Sequence, residues 1–142
     1  MNDIVLNKKE SIERCIRKIR RYYAMDSDVS FEEDYLKQDA IAINIHRACE
    51  QAIGLANYTI KVKKLGLPKE SRESFKLLAE ERIISQGLAE RLAKMIGFRN
   101  VLVHEYQSLD LQLMVDVIEN HLDDLVCFTD EILKEFMPEK EL

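Results

Sequence analysis

Helical spacing of apolar residues, with few residues that break helices, constrains this chain more than any other feature. Apolar side chains recur three or four positions apart over most of the 142 residues, and only four Gly and two Pro interrupt them. No stretch alternates with the period of two that a half-buried strand requires. The spacing predicts an all-α protein, and the short connections favour an up-and-down five-helix bundle.

Caps and breakers set the predicted helix boundaries. Ser30 with Glu33 resembles a capping box, Gly66 favours termination, and a Ser at position 71 is a typical helix cap. The predicted boundary residues are Ile4 and Met25 for the first helix, Ser30 and Gly66 for the second, Ser71 for the third, and Gly87 and Tyr106 for the fourth. A weak break at 85–87 precedes the fourth helix, and the fifth helix follows the interruption at 107–110.

Length and charge limit the class of protein. The size is that of a single domain comprising residues 1–142, and the net charge of −5 argues against bulk coating of nucleic acid while allowing a local basic site. No apolar run approaches the roughly 20 residues of a membrane span. The first residues lack a signal-peptide pattern, so we expect a cytoplasmic protein without membrane association.

The cysteines and histidines give no sign of metal or cofactor chemistry. Cys15, Cys49 and Cys127 are far apart and lie among apolar residues, which predicts buried free thiols. No histidine has the spacing of a metal ligand, so we expect no metal and no cofactor. His46 and His121 are predicted to be structural helix histidines whose hydrogen bonds are satisfied.

One stretch, GFRNVLVHEY at 97–106, carries polar residues that a core helix does not need. Asn100 and His104 lie one helical turn apart, and Arg99 lies beside them. A histidine can act as base or acid when a ribose 2′-hydroxyl attacks its own phosphate, and an arginine matches the phosphate oxygens. Because acid and base roles call for two groups, a two-fold homodimer would supply a second copy of each.

Simpler interpretations of these polar residues are also compatible with the sequence. A structural histidine with Arg99 in a surface salt bridge would give the same spacing by chance. The basic run RCIRKIRRYY at 14–23 is either a solvated helix face or a wall that attracts phosphate. Arg47 and Glu50, one turn apart, either pair with each other or line the cleft.

The string MIGFRNVLVHEY at 95–106 resembles the signature of the HEPN superfamily, specifically the HepT-like toxins. In that signature an Arg precedes a polar residue, a His follows after four intervening positions, and a Tyr comes two positions later. Segments 42–57 and 71–100 are similar to the long second helix and to the third and fourth helices of that family. The resemblance therefore covers most of the chain.

The resemblance implies a dimeric five-helix bundle that cleaves RNA endonucleolytically without a metal. It also implies an antitoxin partner, a nucleotidyltransferase of the MNT type. By the same resemblance Arg99 and His104 are catalytic, Asn100 supports them and binds RNA, and Tyr106 is the tyrosine to which the antitoxin attaches AMP. Added negative charge there would repel RNA.

Two questions remain at the level of sequence. In an unbroken helix Tyr106 would lie about 200° around from His104. The helix would then loosen before 107, or the tyrosine would reach the cleft rim from the helix end, or it would cap the core edge. The alternative function is a non-catalytic helical module that binds a nucleotide or a partner protein through Arg99 and Asn100. Such a binder has no need of a titratable His104.

Overall fold

The computed structural model describes residues 2–104 and 110–137, and for 103 and 104 it describes the backbone only. Every regular element in these ranges is helical, so the predicted all-α five-helix bundle is confirmed. The elements are α1 (Asp3–Ala24), a 3₁₀ turn (Phe31–Glu33), α2 (Tyr35–Lys63), α3 (Ser71–Glu80), α4 (Gln86–His104), α5 (Leu111–Asp116), a π turn (Val117–His121) and α6 (Leu122–Glu135). The last three are continuous and correspond to the predicted fifth helix.

The first helix is capped at its start by an asparagine. The Asn2 side-chain oxygen accepts the backbone N–H groups of Ile4 (3.0 Å) and Val5 (3.2 Å), which would otherwise lack partners. The observed bounds of α1 differ from the predicted ones by one residue at each end.

The predicted capping box before α2 is wrong. Ser30 makes no side-chain cap, and its carbonyl instead accepts the Glu33 N–H (3.0 Å) within the 3₁₀ turn. The cap of α2 is Asp34, whose carboxylate accepts the Lys37 N–H at 3.0 Å. The two residues that were predicted to form the capping box belong instead to the 3₁₀ turn that precedes α2.

The end of α2 comes three residues before the glycine that was predicted to terminate it. Lys64 already adopts a left-handed conformation (φ 56°), and the Leu65 N–H bonds back to the Ile60 carbonyl at 3.0 Å. Gly66 then has φ 135°, a conformation that side-chain-bearing residues rarely adopt. The glycine therefore shapes the loop after the helix.

The start of α3 is shifted from the prediction, whereas the cap of α4 lies in the predicted break. Ser71 is the first residue of α3, and the capping position is Glu70, which makes no side-chain cap bond. Ser85, at the predicted break, caps α4 by accepting the Leu88 N–H at 3.1 Å.

The long helices alternate in direction. At one end of the α1–α2 pair Asn2 donates to the Tyr58 hydroxyl (2.8 Å), and at the other end the Lys37 ammonium donates to the Met25 carbonyl (2.6 Å). Both contacts join the start of one helix to the end of the other. The two helices are therefore antiparallel.

The same reasoning orients the last helix against the first. Lys9, near the start of α1, pairs with Asp130 late in α6 (3.0 Å), whereas Arg20, near the end of α1, pairs with Asp123 at the start of α6 (2.8 Å). Helices α1 and α6 are thus antiparallel as well.

Chain connectivity orients α4. Only six residues, at roughly 3.5 Å each, separate His104 from Leu111. Leu111 lines a small cavity with Phe31, just before α2. The end of α4 therefore lies in the half of the bundle that contains the start of α2, and α4 runs against α2.

The core lies between these helices, and two aromatic rings, Phe75 and Phe128, meet edge to face within it at 5.3 Å. Cys15 and Cys49 are buried free thiols as predicted, but Cys127 is exposed because it lies on the outer side of α6. Among the described residues, no helix has the length and apolar composition that a membrane span requires.

Candidate functional site

The motif residues lie on the last turns of α4, where one side of the helix is committed to the core. The large apolar residues on that side of the helix are buried. They are Leu88, Leu92, Met95, Ile96, Phe98 and Leu102. Arg99 and Asn100 lie between these positions and are only partly buried. The helix therefore holds both polar side chains at the edge of the core.

Arg99 is fixed by a carboxylate from the neighbouring helix. Its Nη1 lies 3.1 Å from Oε1 of Glu50 on α2, and the two side chains are 14% and 46% exposed. The Arg99 Nε is buried and makes no hydrogen bond to any described residue. The guanidinium is thus held firmly at one edge, with donor capacity left over.

A buried thiol lies close to this ion pair. Burial raises the pKa of Cys49 to about 12, the positive charge of Arg99 opposes that rise, and the negative charge of Glu50 adds to it. A thiol in this environment stays protonated near neutral pH. Cys49 is therefore a packing residue at this site and has no nucleophilic role.

His46 differs from its prediction. It lies on α2 one turn before Glu50, on the same side of the helix, and its Nδ1 is buried with no hydrogen bond to a described residue. The expectation of a fully satisfied histidine is wrong for this nitrogen. Its spacing of four from Glu50 was the signal that could have placed it at the site.

Of the two alternatives for Arg47 and Glu50, the structure shows the mutual ion pair to be wrong. Glu50 pairs with Arg99, and within 2–104 and 110–137 no ion pair joins Glu50 to Arg47. Arg47 is exposed one turn away. The structure thus brings Arg99, Glu50 and Arg47 to one region of the α2 surface, and Asn100 is adjacent to Arg99 on α4.

Two predicted site residues are less fully described. His104 is the last residue of α4, with its backbone placed and its side chain outside the described part, and Tyr106 lies entirely outside it. The predicted position of Tyr106 relative to His104 therefore stays a prediction. The helical backbone through 104 keeps His104 one turn after Asn100, as the spacing requires.

The other histidine is engaged as predicted. His121, at the end of the π turn, places Nε2 3.1 Å from Asp116 and Nδ1 3.3 Å from Asp124. Asp124 also accepts a bond from Arg91 Nε at 3.0 Å. No set of three or more His, Cys, Asp or Glu side chains with a metal-binding arrangement occurs in the part of the chain that the structure describes.

Comparison with known proteins matches residues 12–132 to the family described as ribonuclease HepT-like. The mRNA nuclease HepT of Shewanella oneidensis is 43% identical over 135 residues, which cover 95% of this chain and 100% of that protein. A solved structure of the tri-AMPylated Shewanella oneidensis HEPN toxin in complex with MNT antitoxin has a TM-score of 0.88 and 42% identity, and covers 94% of this chain and 99% of that one. The cytosolic protein YutE of Bacillus subtilis, of unknown function, has a TM-score of 0.75 at 19% identity (96% and 91% covered) and shows the fold alone.

Proposed function

Since this chain belongs to the HepT-like ribonuclease family, we propose that it is the toxin of a toxin–antitoxin pair, an endoribonuclease neutralised by a nucleotidyltransferase of the MNT type. The chain spans the full length of a relative named as an mRNA nuclease. A relative of similar identity is a toxin in complex with such an antitoxin. Residues 1–142 act as one domain in the cytoplasm.

The observation that carries the proposal is the Arg99–Glu50 contact, which fixes a guanidinium on α4 five positions before His104. The ribose 2′-hydroxyl gives its proton to one His104 imidazole and attacks the adjacent phosphorus. The bond from phosphorus to the 5′-oxygen breaks, and that oxygen takes a proton. The products are a 2′,3′-cyclic phosphate and a free 5′-hydroxyl.

Arg99 stabilises the charge that develops on the phosphate oxygens during this attack. A fixed guanidinium costs little reorganisation at the moment of reaction, which is the condition for strong electrostatic stabilisation. Asn100, adjacent on α4, supports the bound phosphate with its amide. No step in this scheme requires a metal ion.

Glu50 acts as a positioning residue, because its carboxylate holds one edge of the Arg99 guanidinium at 3.1 Å. A single charged contact restricts the side chain and leaves other N–H donors to meet a phosphate. Arg47, exposed one turn away, lines the same cleft.

A homodimer completes the site. Cleavage uses one group as a base and one as an acid, and a single copy brings only one His104. A two-fold pairing supplies the second imidazole and a second Arg99 to the same cleft. The cleft is thus composite.

Tyr106 is the site at which the antitoxin attaches AMP. Each added AMP brings a phosphodiester, and its negative charge repels an RNA phosphate at the adjacent cleft. Incubation of the toxin with the antitoxin and ATP should raise the toxin mass in steps of one AMP. Tyr106→Phe should remove those steps, and steps that persist would place the modification elsewhere.

The test of the cleavage chemistry uses a single-stranded RNA and the same strand with one 2′-deoxyribose at the cleaved position. We expect cutting of the first, with a cyclic phosphate end, in the presence of EDTA, and no cutting of the second at that position. Cleavage of the deoxy-substituted strand would exclude 2′-hydroxyl attack. Loss of activity in EDTA would show a metal requirement.

A further inference from the structure

The two flanks of α1 carry basic residues in different settings. On the flank that faces α6, Lys9 and Arg20 are paired with aspartates at 3.0 and 2.8 Å. On the flank next to α2, three cations follow at intervals of four and three, which places them in one row along the helix. This row consists of Arg14, Lys18 and Arg21.

Helix α2 adds a fourth cation to this row. The α1–α2 register, fixed by the Lys8 Nζ to Gln51 Oε1 contact (3.4 Å) and the Lys37 contact at the opposite end, brings Arg47 to the level of Arg14. Burial raises the pKa of the Cys15 thiol, and the charges of Lys18, Arg47 and Arg14 all oppose the rise. Three cations, from α1 and from α2, therefore lie near the same buried thiol. The four side chains, here called the basic face, are Arg14, Lys18, Arg21 and Arg47.

Most of the basic face lacks a neutralising carboxylate. Within the described residues Lys18, Arg21 and Arg47 form no ion pair, and Arg14 has only an exposed contact of 3.4 Å with Glu10. Exposed pairs of this kind contribute about 0–1 kcal/mol and separate easily. In a chain of net charge −5, such a local concentration of free cations favours an anionic ligand.

The basic face lies next to the proposed cleavage site. Arg47 lies one turn from Glu50, which holds Arg99. From Arg14 to Arg21 the row is roughly 10 Å long, so it can contact more than one phosphate of the same strand. A strand whose phosphate lies at Arg99 can therefore continue along α1.

Tyr22 adds a second kind of contact. It is half-buried beside the row, and the Arg21 guanidinium lies over its ring at 5.3 Å. Proteins that bind single strands combine a cationic track with aromatic rings on which bases stack.

We propose that the basic face binds the phosphates of single-stranded RNA next to the linkage that is cleaved. The proposal rests on the proposed ribonuclease function and adds a binding surface beyond the catalytic motif. It assigns a role to the basic first helix.

The test compares two double variants with the same change of charge, both in a His104→Ala background so that RNA is bound and not cut. Lys18→Gln with Arg21→Gln alters the basic face, and Lys9→Gln with Arg20→Gln alters the opposite flank. Affinity for a single-stranded RNA of about twelve nucleotides is measured by fluorescence anisotropy over a series of salt concentrations. Thermal melting checks that both variants fold.

We expect the basic-face variant to lose roughly tenfold or more in affinity and its salt slope to fall by about 1.4, or about 0.7 for each phosphate contact removed. The opposite-flank variant should bind as the parent does. Equal losses in both variants, or none in either, would overturn the proposal. Unchanged RNA binding with weakened binding to the antitoxin would also overturn it and identify the face as a protein interface.

A second measurement separates this proposal from the cleavage mechanism. With His104 restored, the basic-face variant should lose more kcat/KM on the long RNA than on a dinucleotide, which cannot reach from Arg99 to α1. An equal loss on both substrates would contradict the binding role. Failure of the unaltered protein to cut any RNA would defeat the proposed function and leave the binding measurement informative.

Discussion

Helix α4 carries two arginines two turns apart, and each meets a carboxylate of a neighbouring helix in a different way. Arg91 Nε lies 3.0 Å from Asp124, and Arg99 Nη1 lies 3.1 Å from Glu50. The exposures are reversed: Arg91 is 47% exposed over a carboxylate that is 14% exposed, whereas Arg99 is 14% exposed beneath one that is 46% exposed. The buried partner is the anion in one cluster and the cation in the other.

In the cluster around Arg91, here called the closed cluster, the polar side chains bond to one another. Asp124 accepts from both Arg91 and His121, His121 also meets Asp116, and Asp116 accepts from Asn120 at 2.7 Å. These contacts join α4 to both sides of the π turn. A network in which the partners satisfy one another fixes local structure.

The cluster around Arg99, here called the open cluster, contains buried polar atoms without a partner in the described part of the chain. The Arg99 Nε and the His46 Nδ1 are buried and bond to no described residue. Buried polar atoms are normally paired, so those that are not call for a reason. Similar side chains thus stabilise the structure where their buried polar atoms are paired, and are suited to binding a ligand where some buried polar atoms are unpaired.

The largest difference between the two regions should come from their histidines. His104→Ala should reduce RNA cleavage by about 10²- to 10⁴-fold, the usual contribution of a general acid or base. His121→Ala should leave kcat/KM within about twofold and lower the free energy of unfolding by about 1 kcal/mol, because it removes the contacts of the ring with Asp116 and Asp124. Cleavage assays and urea titrations measure both effects.

The control for this pair is the folded state of the first variant. His104→Ala should keep the circular dichroism spectrum and the oligomeric mass of the unaltered protein. If His121→Ala is the variant that loses cleavage while it stays folded, the functional and structural assignments of the two clusters are reversed.

The next effect comes from the two arginines. Arg99→Lys keeps the charge but loses the planar fork, so it cannot hold Glu50 and present parallel donors to a phosphate. We expect kcat to fall by roughly 10²- to 10³-fold, the scale of one lost oxyanion donor. Arg91→Lys, the matched change in the closed cluster, should retain activity, and an equal loss in both variants would contradict the distinction.

The sequence predicts what local spacing determines. The apolar periodicity of α1 and α4 and the break at Ser85 locate helices correctly, because each depends on residues a few positions apart. The cap before α2 was misplaced since Ser30 and Glu33 fit both a capping box and a 3₁₀ turn, and the local pattern does not distinguish them.

The candidate site depends on contacts that local spacing does not contain. Glu50 had a local competitor in Arg47, one turn away, whereas its observed partner Arg99 lies on a different helix. Only the packing of α2 against α4 selects between them. The same packing buries the His46 Nδ1, which periodicity alone describes as an ordinary helix position.

A smaller effect is expected for the carboxylates. Glu50→Gln should lower kcat by about 10- to 100-fold, since a guanidinium that is no longer held by charge is misplaced for the phosphate. RNA affinity should not fall, because the variant removes a negative charge beside the phosphate. Single-turnover assays measure the effect on the cleavage step, and equilibrium binding measures the effect on RNA affinity.

The matched variant is Asp124→Asn in the closed cluster, which should lower the melting temperature and leave kcat unchanged. Loss of RNA affinity in Glu50→Gln with an unaltered kcat would show that Glu50 does not position Arg99. A return of activity in Glu50→Asp would support the role of the charge.

The smallest effect concerns the thiol beside the open cluster. Burial raises the pKa of Cys49 from the ordinary 9.0 to about 12, so between these values the unfolded thiol ionises while the folded one stays neutral. Unfolding then releases a proton, and stability contributed by this group is present below pH 9 and lost as the pH rises towards 12. Urea titrations at pH 8 to 10.5 should show a shallower decline for Cys49→Ala than for the unaltered protein, whatever the cost of the smaller side chain at neutral pH. The control is Cys127→Ala, on the exposed side of α6, which should show the same decline of stability with pH as the unaltered protein. If Cys49→Ala shows that same decline, water reaches the Cys49 thiol, and the packing around Arg99 is looser than in the structure.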